Sequence, residues 1–199
     1  RTIPIKQCNT MAMPNNSNSI YATAAVDSNG AGDLTQLLTI VSYNLHGLNQ
    51  GQPGIKELIA QLNPSIIMVQ EHWQTSDNLF KLSNISSDYF VIGSSAMDGR
   101  VSAGPLFGKP FGGTAILIKN ELVNAVTNVA SSERYTVVKV ANWLLVCVYL
   151  PCVGTDQRFL VYIDTIQEIQ TIISDNNECN YLIGGDFNSD LNLVNQLNC

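Results

Sequence analysis

Short apolar runs recur along the chain, and most of them are rich in Val, Ile and Leu and end at Gly, Pro, Asn or Asp. Runs of this length and composition are typical of buried β-strands. They predict strands over residues 37–44, 65–70, 89–92, 114–119, 135–140, 143–150 and 181–184. Asn142 stands between two of these runs and predicts a hairpin there.

Other segments repeat their apolar residues with helical spacing. They predict helices over residues 54–62, 77–82 and 158–173. Residues 94–110 are punctuated by Gly, Ser and Pro and predict a long surface loop, and loops of this length are often functional. The order of strand, helix, strand, further strands, helix and strand predicts a layered α/β fold rather than an all-β sandwich.

The first part of the chain shows neither periodicity. Residues 1–33 are rich in Asn, Ser, Thr and Ala, which predicts a flexible leader. We expect residues 34–199 to form one domain, because a length of 199 residues leaves little room for two. Apolar residues make up 45% of the chain, which is enough for a sizeable core.

Charge and cysteine content narrow the class of protein. The formal net charge of −6 argues against tight non-specific DNA binding by this chain alone. It does not exclude a nuclease, because a cation site needs carboxylates. The five cysteines include no Cys-x-x-Cys pair, which favours a reducing compartment. No secretory signal and no bilayer-spanning apolar run are visible, so we expect an intracellular protein without a membrane partner.

Polar residues that suit phosphate chemistry stand where predicted strands stop. Four strands end at such a residue: Asn44, Glu71, Tyr149 and Asp186. Strand ends in layered α/β folds commonly carry catalytic groups. Glu71 and Asn44 offer the oxygen ligands that Mg²⁺ prefers. Asp186 could orient or deprotonate a water, and Asn188 could donate its amide to a phosphate oxygen.

Five segments, taken in order, resemble the motifs of the endonuclease/exonuclease/phosphatase family. They read Ser-Tyr-Asn-Leu-His-Gly-Leu at 42–48, Val-Gln-Glu-His-Trp at 69–73, Phe-Gly-Gly-Thr-Ala-Ile-Leu-Ile at 111–118, Val-Cys-Val-Tyr-Leu-Pro at 146–151 and Gly-Gly-Asp-Phe-Asn at 184–188. Any one of them is weak, but five in the family's order are specific. Within the family, the residues of these motifs are most similar to those of the endonuclease domain of non-LTR retrotransposons, which nicks one DNA strand to prime reverse transcription.

The resemblance implies a four-layer α/β sandwich, in which two mixed sheets pack face to face between outer helices. It implies that Glu71 and Asn44 hold Mg²⁺, with Mn²⁺ as an alternative, and that Tyr149 lies near the scissile phosphate. It further implies that Asp186 handles the nucleophilic water and that Asn188 contacts the phosphate. DNA is the expected substrate, a downstream reverse-transcriptase domain an expected partner, and the nucleus the expected location.

The chain departs from the family pattern in one respect. The family closes its site with a late Ser-Asp-His motif, whereas this chain stops at Cys199 and its only histidines are His46 and His72. We therefore expect the C-terminal part of the domain to be missing and the second sheet to be incomplete. Because loss of one preorganised charge-stabilising group lowers a rate by about 10²–10³-fold, we expect this piece to be inactive or nearly so.

Purely structural interpretations stay open for the same residues. Glu71 could be a solvated carboxylate at a strand end. Asn44, Asp186 and Asn188 could cap turns or the next helix. Tyr149 could be a core aromatic with a satisfied hydroxyl.

The remaining candidates carry weaker expectations. Arg134 precedes a strand and could approach a phosphate, although a surface arginine is the commoner case. His46 and His72 are assigned no role, because histidines are more often structural or solvated than catalytic. Two other functions stay open: another phosphodiesterase or phosphatase of the family, such as a deadenylase or phosphoinositide phosphatase, and a non-enzymatic relict of a mobile element.

Overall fold

A computed structural model describes residues 19–27, 35–102, 104, 108, 110–152, 154 and 156–188. Within these residues the chain forms two mixed sheets, three α-helices and two 3-10 segments. The helices are α1 (Leu48–Leu62), α2 (Asp98–Ser102) and α3 (Arg158–Asp175), and the 3-10 segments cover Ser76–Ile85 and Asn120–Ala125. None of the helices in this part of the chain is long and apolar enough to cross a membrane.

The first sheet contains five of the described strands in the spatial order β1-β2-β3-β5-β4. Their bounds are β1 Ser19–Asp27, β2 Thr35–Asn44, β3 Ile66–Gln70, β4 Tyr89–Ser94 and β5 Thr114–Lys119. β2 and β3 run parallel, and the other neighbours run antiparallel. Since α1 lies between β2 and β3 in the chain, it serves as the crossover that a parallel pair requires.

The second sheet contains four of the described strands in the order β6-β7-β8-β9. Their bounds are β6 Val126–Ser131, β7 Tyr135–Val140, β8 Trp143–Tyr149 and β9 Asn180–Asp186. β7 and β8 form the hairpin predicted at Asn142. β8 and β9 run parallel and are connected through α3.

Three apolar clusters build the sandwich, because alternate side chains of each strand point to opposite faces. One cluster fills the space between the sheets, with Ile40 and Met68 from the first sheet and Leu145 from the second. A second packs the outer face of the first sheet against α1, and a third packs the outer face of the second sheet against α3. The four-layer α/β prediction is therefore confirmed, and the incompleteness of the second sheet stays a prediction.

β1 lies inside residues 1–33, for which the sequence predicts a flexible leader. It pairs with β2 along its whole length, from Ser19 opposite Tyr43 to Asp27 opposite Thr35. The expectation of a leader without regular structure therefore does not hold for Ser19–Asp27. Pairing with β2, the next strand along the chain, gives this segment its structure, and the sequence pattern of the segment itself carries no sign of that contact. The domain boundary at residue 34 stays a prediction.

Other boundaries also differ from the predictions. α1 begins at Leu48, before the predicted start at residue 54. The first turns were not predicted because Gly51 and Pro53 interrupt their apolar pattern. Gly51 packs directly on the Leu45 backbone, where a Cβ would lie 2.4 Å from the carbonyl oxygen. β6 was not predicted, because its side chains are exposed or half-buried and its sequence therefore contains no apolar run. The predicted loop over residues 94–110 contains α2.

Buried polar side chains join the two sheets beneath the ends of β2, β3 and β8. Gln70 Nε2 donates to Cys147 Sγ at 3.2 Å across the sheets. Within the first sheet, half-buried Ser42 donates from its Oγ to Gln70 Oε1 at 3.3 Å. Burial raises the pKa of the Cys147 thiol to about 12, so the thiol stays protonated. Thr114 and Thr136 also meet across the sheets, with their hydroxyl oxygens 2.8 Å apart. These contacts fix how one sheet sits on the other, because a buried polar group is stabilised only when it is paired.

We predict that Thr136→Val lowers the free energy of unfolding by about 1–3 kcal/mol. The variant removes a hydroxyl that also donates to the Thr114 carbonyl at 3.1 Å, and it leaves the Thr114 hydroxyl buried without that partner. Urea unfolding of the purified chain measures the difference. Thr127→Val, at an exposed position of β6, is the matched control and should change stability little. Equal effects at the two positions would refute the proposed bridge.

Candidate active site

The predicted site residues meet at one end of the sandwich because of two parallel strand pairs. In the first sheet, Asn44 at the end of β2 pairs with Gln70 at the end of β3, and Glu71 follows directly. In the second sheet, Tyr149 at the end of β8 pairs with Asp186 at the end of β9. Since the sheets pack face to face, these two strand ends bring polar residues from both sheets together.

Asn44 lies between two carboxylates that come from different sheets. Its Nδ2 donates to Glu71 Oε1 at 2.9 Å and to Asp186 Oδ2 at 3.0 Å. All three side chains are half-buried. One amide group therefore uses both of its hydrogens to hold two acidic side chains at a fixed separation.

The orientation of the Asn44 amide follows from a third hydrogen bond. The backbone N–H of His46 donates to Asn44 Oδ1 at 2.9 Å. A flipped amide would direct its NH₂ group at this N–H and its oxygen at two carboxylates, so the observed orientation is the only one that pairs every group. This geometry favours Asn44 as the residue that positions the carboxylates, and its predicted role as a metal ligand stays a prediction.

Tyr149 and Arg134 extend the site along the second sheet. Burial raises the pKa of Tyr149 well above its ordinary value, and the charges of Glu71 and Asp186 and a hydrogen bond to Glu71 act in the same direction. The phenol therefore stays protonated and can act as a hydrogen-bond donor towards the Glu71 carboxylate. The Arg134 guanidinium lies 5.9 Å from the centre of the Tyr149 ring, so the structure places the predicted substrate-binding arginine beside the predicted catalytic tyrosine.

Asn188 holds the loop that follows β9. Its backbone N–H donates to Asp186 Oδ1 at 3.0 Å, and its Nδ2 donates to the Leu150 carbonyl at 2.9 Å. Arg158 Nη2 donates to the Asn188 carbonyl at 2.7 Å. The amide that we predicted to contact phosphate thus binds backbone in this structure, which agrees with the turn-capping interpretation, and its contact with phosphate stays a prediction.

Four non-glycine residues at the site have left-handed backbone conformations, with φ values of 47° at His46, 53° at Glu71, 56° at Trp73 and 46° at Asn188. Such conformations are strained for most L-residues and concentrate at functional sites. Backbone hydrogen bonds hold the loop at Glu71 in place. The Gly47 N–H donates to the Glu71 carbonyl at 2.8 Å, and the Glu71 N–H donates to the Gly113 carbonyl at 2.9 Å.

His72 supports this loop from the interior. The side chain is fully buried, its Nε2 lies 3.0 Å from the Ser94 carbonyl, and its Nδ1 accepts from the Gln74 N–H at 3.0 Å. Burial lowers the pKa of His72 to about 4, so the ring is neutral with its proton on Nε2. A Cβ at position 113 would lie 2.3 Å from the ring, which explains why Gly113 stands there.

His46 is the neighbour of Glu71 that sequence reasoning left without a role. Its Nδ1 lies 3.4 Å from Glu71 Oε2. The only signal in the sequence was its position two residues after Asn44, inside the first motif. The direction of its ring depends on the left-handed backbone at residue 46, which no periodicity reveals.

The donor set at the site suits a hard cation that keeps most of its own water. Among the described residues, no group of three or more His, Cys, Asp or Glu side chains could enclose a metal ion. Glu71 nevertheless offers a carboxylate with 15% exposure at the meeting point of the sheets. Because Mg²⁺ is commonly held by one or two carboxylates, waters and substrate phosphates, these residues fit such an ion without a closed cage.

Comparisons with known proteins concern the family and the fold of the chain. A family model described as "Endonuclease/Exonuclease/phosphatase family" matches residues 41–194. An AP endonuclease from Archaeoglobus fulgidus is similar at 14% identity with a TM-score of 0.54, covering 75% of this chain and 57% of that one. A humanized TDP2 from D. rerio is similar at 16% identity with a TM-score of 0.52, covering 79% and 65%.

A third solved structure, the 3′ phosphatase NExo from Neisseria bound to a product DNA hairpin, is similar at 17% identity with a TM-score of 0.49 and covers 76% of this chain and 58% of that one. This chain therefore spans 57–65% of the length of the three proteins. No curated protein sequence matches it. The likeness to the first two structures establishes a shared fold.

We predict that the free energy of unfolding falls as the pH is lowered from about 6.5 to about 4. The unfolded chain protonates His72 near its ordinary pKa of 6.5, whereas the folded chain resists protonation until about 4. The stability that depends on the neutral ring is therefore present above pH 6.5 and decreases below it, by about 3 kcal/mol in all.

Urea unfolding across this pH range, with a chelator present, measures the effect. In His72→Gln the decrease should be smaller by about that amount, although the variant starts less stable at pH 7. His46→Gln, which changes the exposed histidine, is the matched control for the loss of a histidine. An unchanged slope in His72→Gln would contradict the assignment.

Proposed function

Because the chain belongs to the Endonuclease/Exonuclease/phosphatase family, we propose that it hydrolyses phosphodiester bonds with the aid of a divalent metal ion and that DNA is its substrate. The observation that carries the proposal is the Asn44 amide, which joins Glu71 and Asp186 across the two sheets. Two carboxylates at a fixed separation can serve two tasks, with one holding a cation and the other handling a water.

Glu71 would hold the metal, with Mg²⁺ as the first expectation and Mn²⁺ as the alternative. The ion would neutralise charge on the phosphoryl oxygens. The Tyr149 phenol stays protonated near the Glu71 carboxylate, so it can donate to that carboxylate and help to orient the ligand. The Arg134 guanidinium lies 5.9 Å from the centre of the Tyr149 ring, and its charge can attract a phosphate group near that ring.

Asp186 would orient the attacking water and accept its proton. Each of its carboxylate oxygens already accepts one hydrogen bond, with Oδ2 facing Asn44 and Oδ1 facing the Asn188 N–H. These two donors hold the carboxylate in one orientation, and each oxygen keeps a free lone pair for the water. Asn188 therefore acts on the reaction through Asp186, and its amide could reach a phosphate only if the bond to the Leu150 carbonyl opens.

The finer part of the proposal is a DNA-nicking endonuclease of the retrotransposon type, with a downstream reverse-transcriptase domain as partner and a nuclear location. It is supported by the residues of the five motifs, above all Gln-Glu-His-Trp at residues 70–73 and Gly-Gly-x-Ala-Ile-Leu at residues 112–117. The net charge of −6 means that DNA affinity must come from local groups such as Arg134 rather than from the whole surface.

We predict that Glu71→Gln and Asp186→Asn each lower metal-dependent nicking of supercoiled plasmid by the full-length protein by at least about 10²-fold. Each substitution keeps the size of the side chain and removes its charge. The matched controls are Glu57→Gln and Asp77→Asn, which make the same changes at exposed positions and should leave the rate unchanged. Unchanged nicking in both site variants would rule out this mechanism.

The substrate class is tested by comparing plasmid DNA, poly(A) RNA and a phosphoinositide under the same conditions. We expect hydrolysis of DNA to be fastest, with Glu71→Gln abolishing it. Preferential hydrolysis of poly(A) or of the phosphoinositide would indicate another branch of the family. Hydrolysis of none of the three, by a protein that is folded and binds metal, would favour a non-enzymatic relict.

A further inference from the structure

The His46 imidazole and the Glu71 carboxylate face each other at the edge of the site. Their nearest atoms, Nδ1 and Oε2, are 3.4 Å apart. A charge-assisted hydrogen bond between such groups is shorter, at about 2.7–2.9 Å. His46 has an exposed fraction of 67%, compared with 15% for Glu71, so the pair opens towards solvent.

The separation suits two ligands of one metal ion. Transition metals bind imidazole nitrogen and carboxylate oxygen at about 2.1 Å. Two donors at that radius lie about 3.0 Å apart when they subtend a right angle at the ion, and about 3.4 Å apart at a tetrahedral angle. The distance between His46 Nδ1 and Glu71 Oε2 therefore matches the spacing that shared coordination requires.

The imidazole is held in place without any metal. The His46 backbone N–H donates to Asn44 Oδ1 at 2.9 Å, and the next residue, Gly47, donates to the Glu71 carbonyl at 2.8 Å. The His46 ring packs against Trp73, with 5.1 Å between ring centres and an angle of 58° between planes. A ligand that is already oriented loses little conformational freedom on binding, which strengthens the site.

We propose that His46 Nδ1 and Glu71 Oε2 bind one divalent transition-metal ion, and that the site holds this ion more tightly than the Mg²⁺ first expected at Glu71. The proposal rests on the proposed function, since it concerns the metal of the same site. Imidazole is a favoured ligand of transition metals, whereas Mg²⁺ prefers oxygen ligands and keeps its waters. Waters and substrate oxygens would complete the shell, because the described residues supply no third His, Cys, Asp or Glu ligand.

The two histidines of the chain make the proposal directly observable. Nitrogen NMR of the chain labelled with ¹⁵N in its imidazole rings gives one pair of signals for exposed His46 and one for buried His72. We expect Zn²⁺, a diamagnetic probe, to move the Nδ1 signal of His46 and to leave His72 as an internal reference. Mg²⁺ at the same concentration should move neither.

Matched variants separate the shared site from incidental binding to an exposed histidine. Glu71→Gln should weaken the Zn²⁺-dependent shift of His46 by about tenfold or more, while Glu57→Gln, at an exposed position on α1, should leave it unchanged. His46→Asn should weaken Zn²⁺ binding and leave Mg²⁺ binding unchanged. Zinc captured by cysteines does not disturb this readout, because only the imidazole nitrogens are observed.

Two results would overturn the proposal: a shift at Nε2 of His46 instead of Nδ1, or a shift that persists in Glu71→Gln. Neither result depends on catalysis. Nicking with Mg²⁺ but no Nδ1 shift would leave the proposed function standing and remove this inference. An Nδ1 shift in a protein that hydrolyses no phosphodiester would keep the metal site and remove the function.

Discussion

The site depends on one amide that is hydrogen-bonded to two carboxylates from separate sheets. Asn44 ends a strand of the first sheet, and it reaches Glu71 within that sheet and Asp186 across the sandwich at 2.9 and 3.0 Å. Without this bridge, the half-buried carboxylates of Glu71 and Asp186 would repel each other and move towards solvent. The His46 N–H in turn orients the amide, so the geometry of the site begins in the backbone of the first loop.

The bridge can form only if the two sheets keep a fixed position relative to each other. Apolar packing alone tolerates small shifts, whereas directional bonds between buried polar groups do not. Gln70 and Cys147, and also Thr114 and Thr136, supply such bonds beneath the strand ends that carry the site. The buried polar residues therefore hold the two sheets, and with them the half-buried residues of the candidate site, in fixed positions relative to each other.

Much of this arrangement could be predicted from the sequence. Apolar runs and the residues that end them predict the strand ends, and the order of the five motifs predicts which residues belong to the site. Asn44, Glu71, Tyr149 and Asp186 meet as expected, since parallel pairs bring their ends together. The structure of β1 depends on its pairing with β2, and the direction of the His46 ring depends on a left-handed backbone. Neither leaves a periodic signal, so both were missed.

The most direct test of the Asn44 bridge is a double-mutant cycle on kcat/KM for DNA nicking by the full-length protein. Asn44→Ala, Asp186→Ala and the double variant are compared with the wild type. If the amide acts partly through Asp186, the loss in the double variant should be clearly smaller than the product of the two single losses, with the remaining effect of Asn44→Ala coming from its bond to Glu71. A double variant whose loss equals the product of the two single losses would show that the residues act independently and would contradict the bridge.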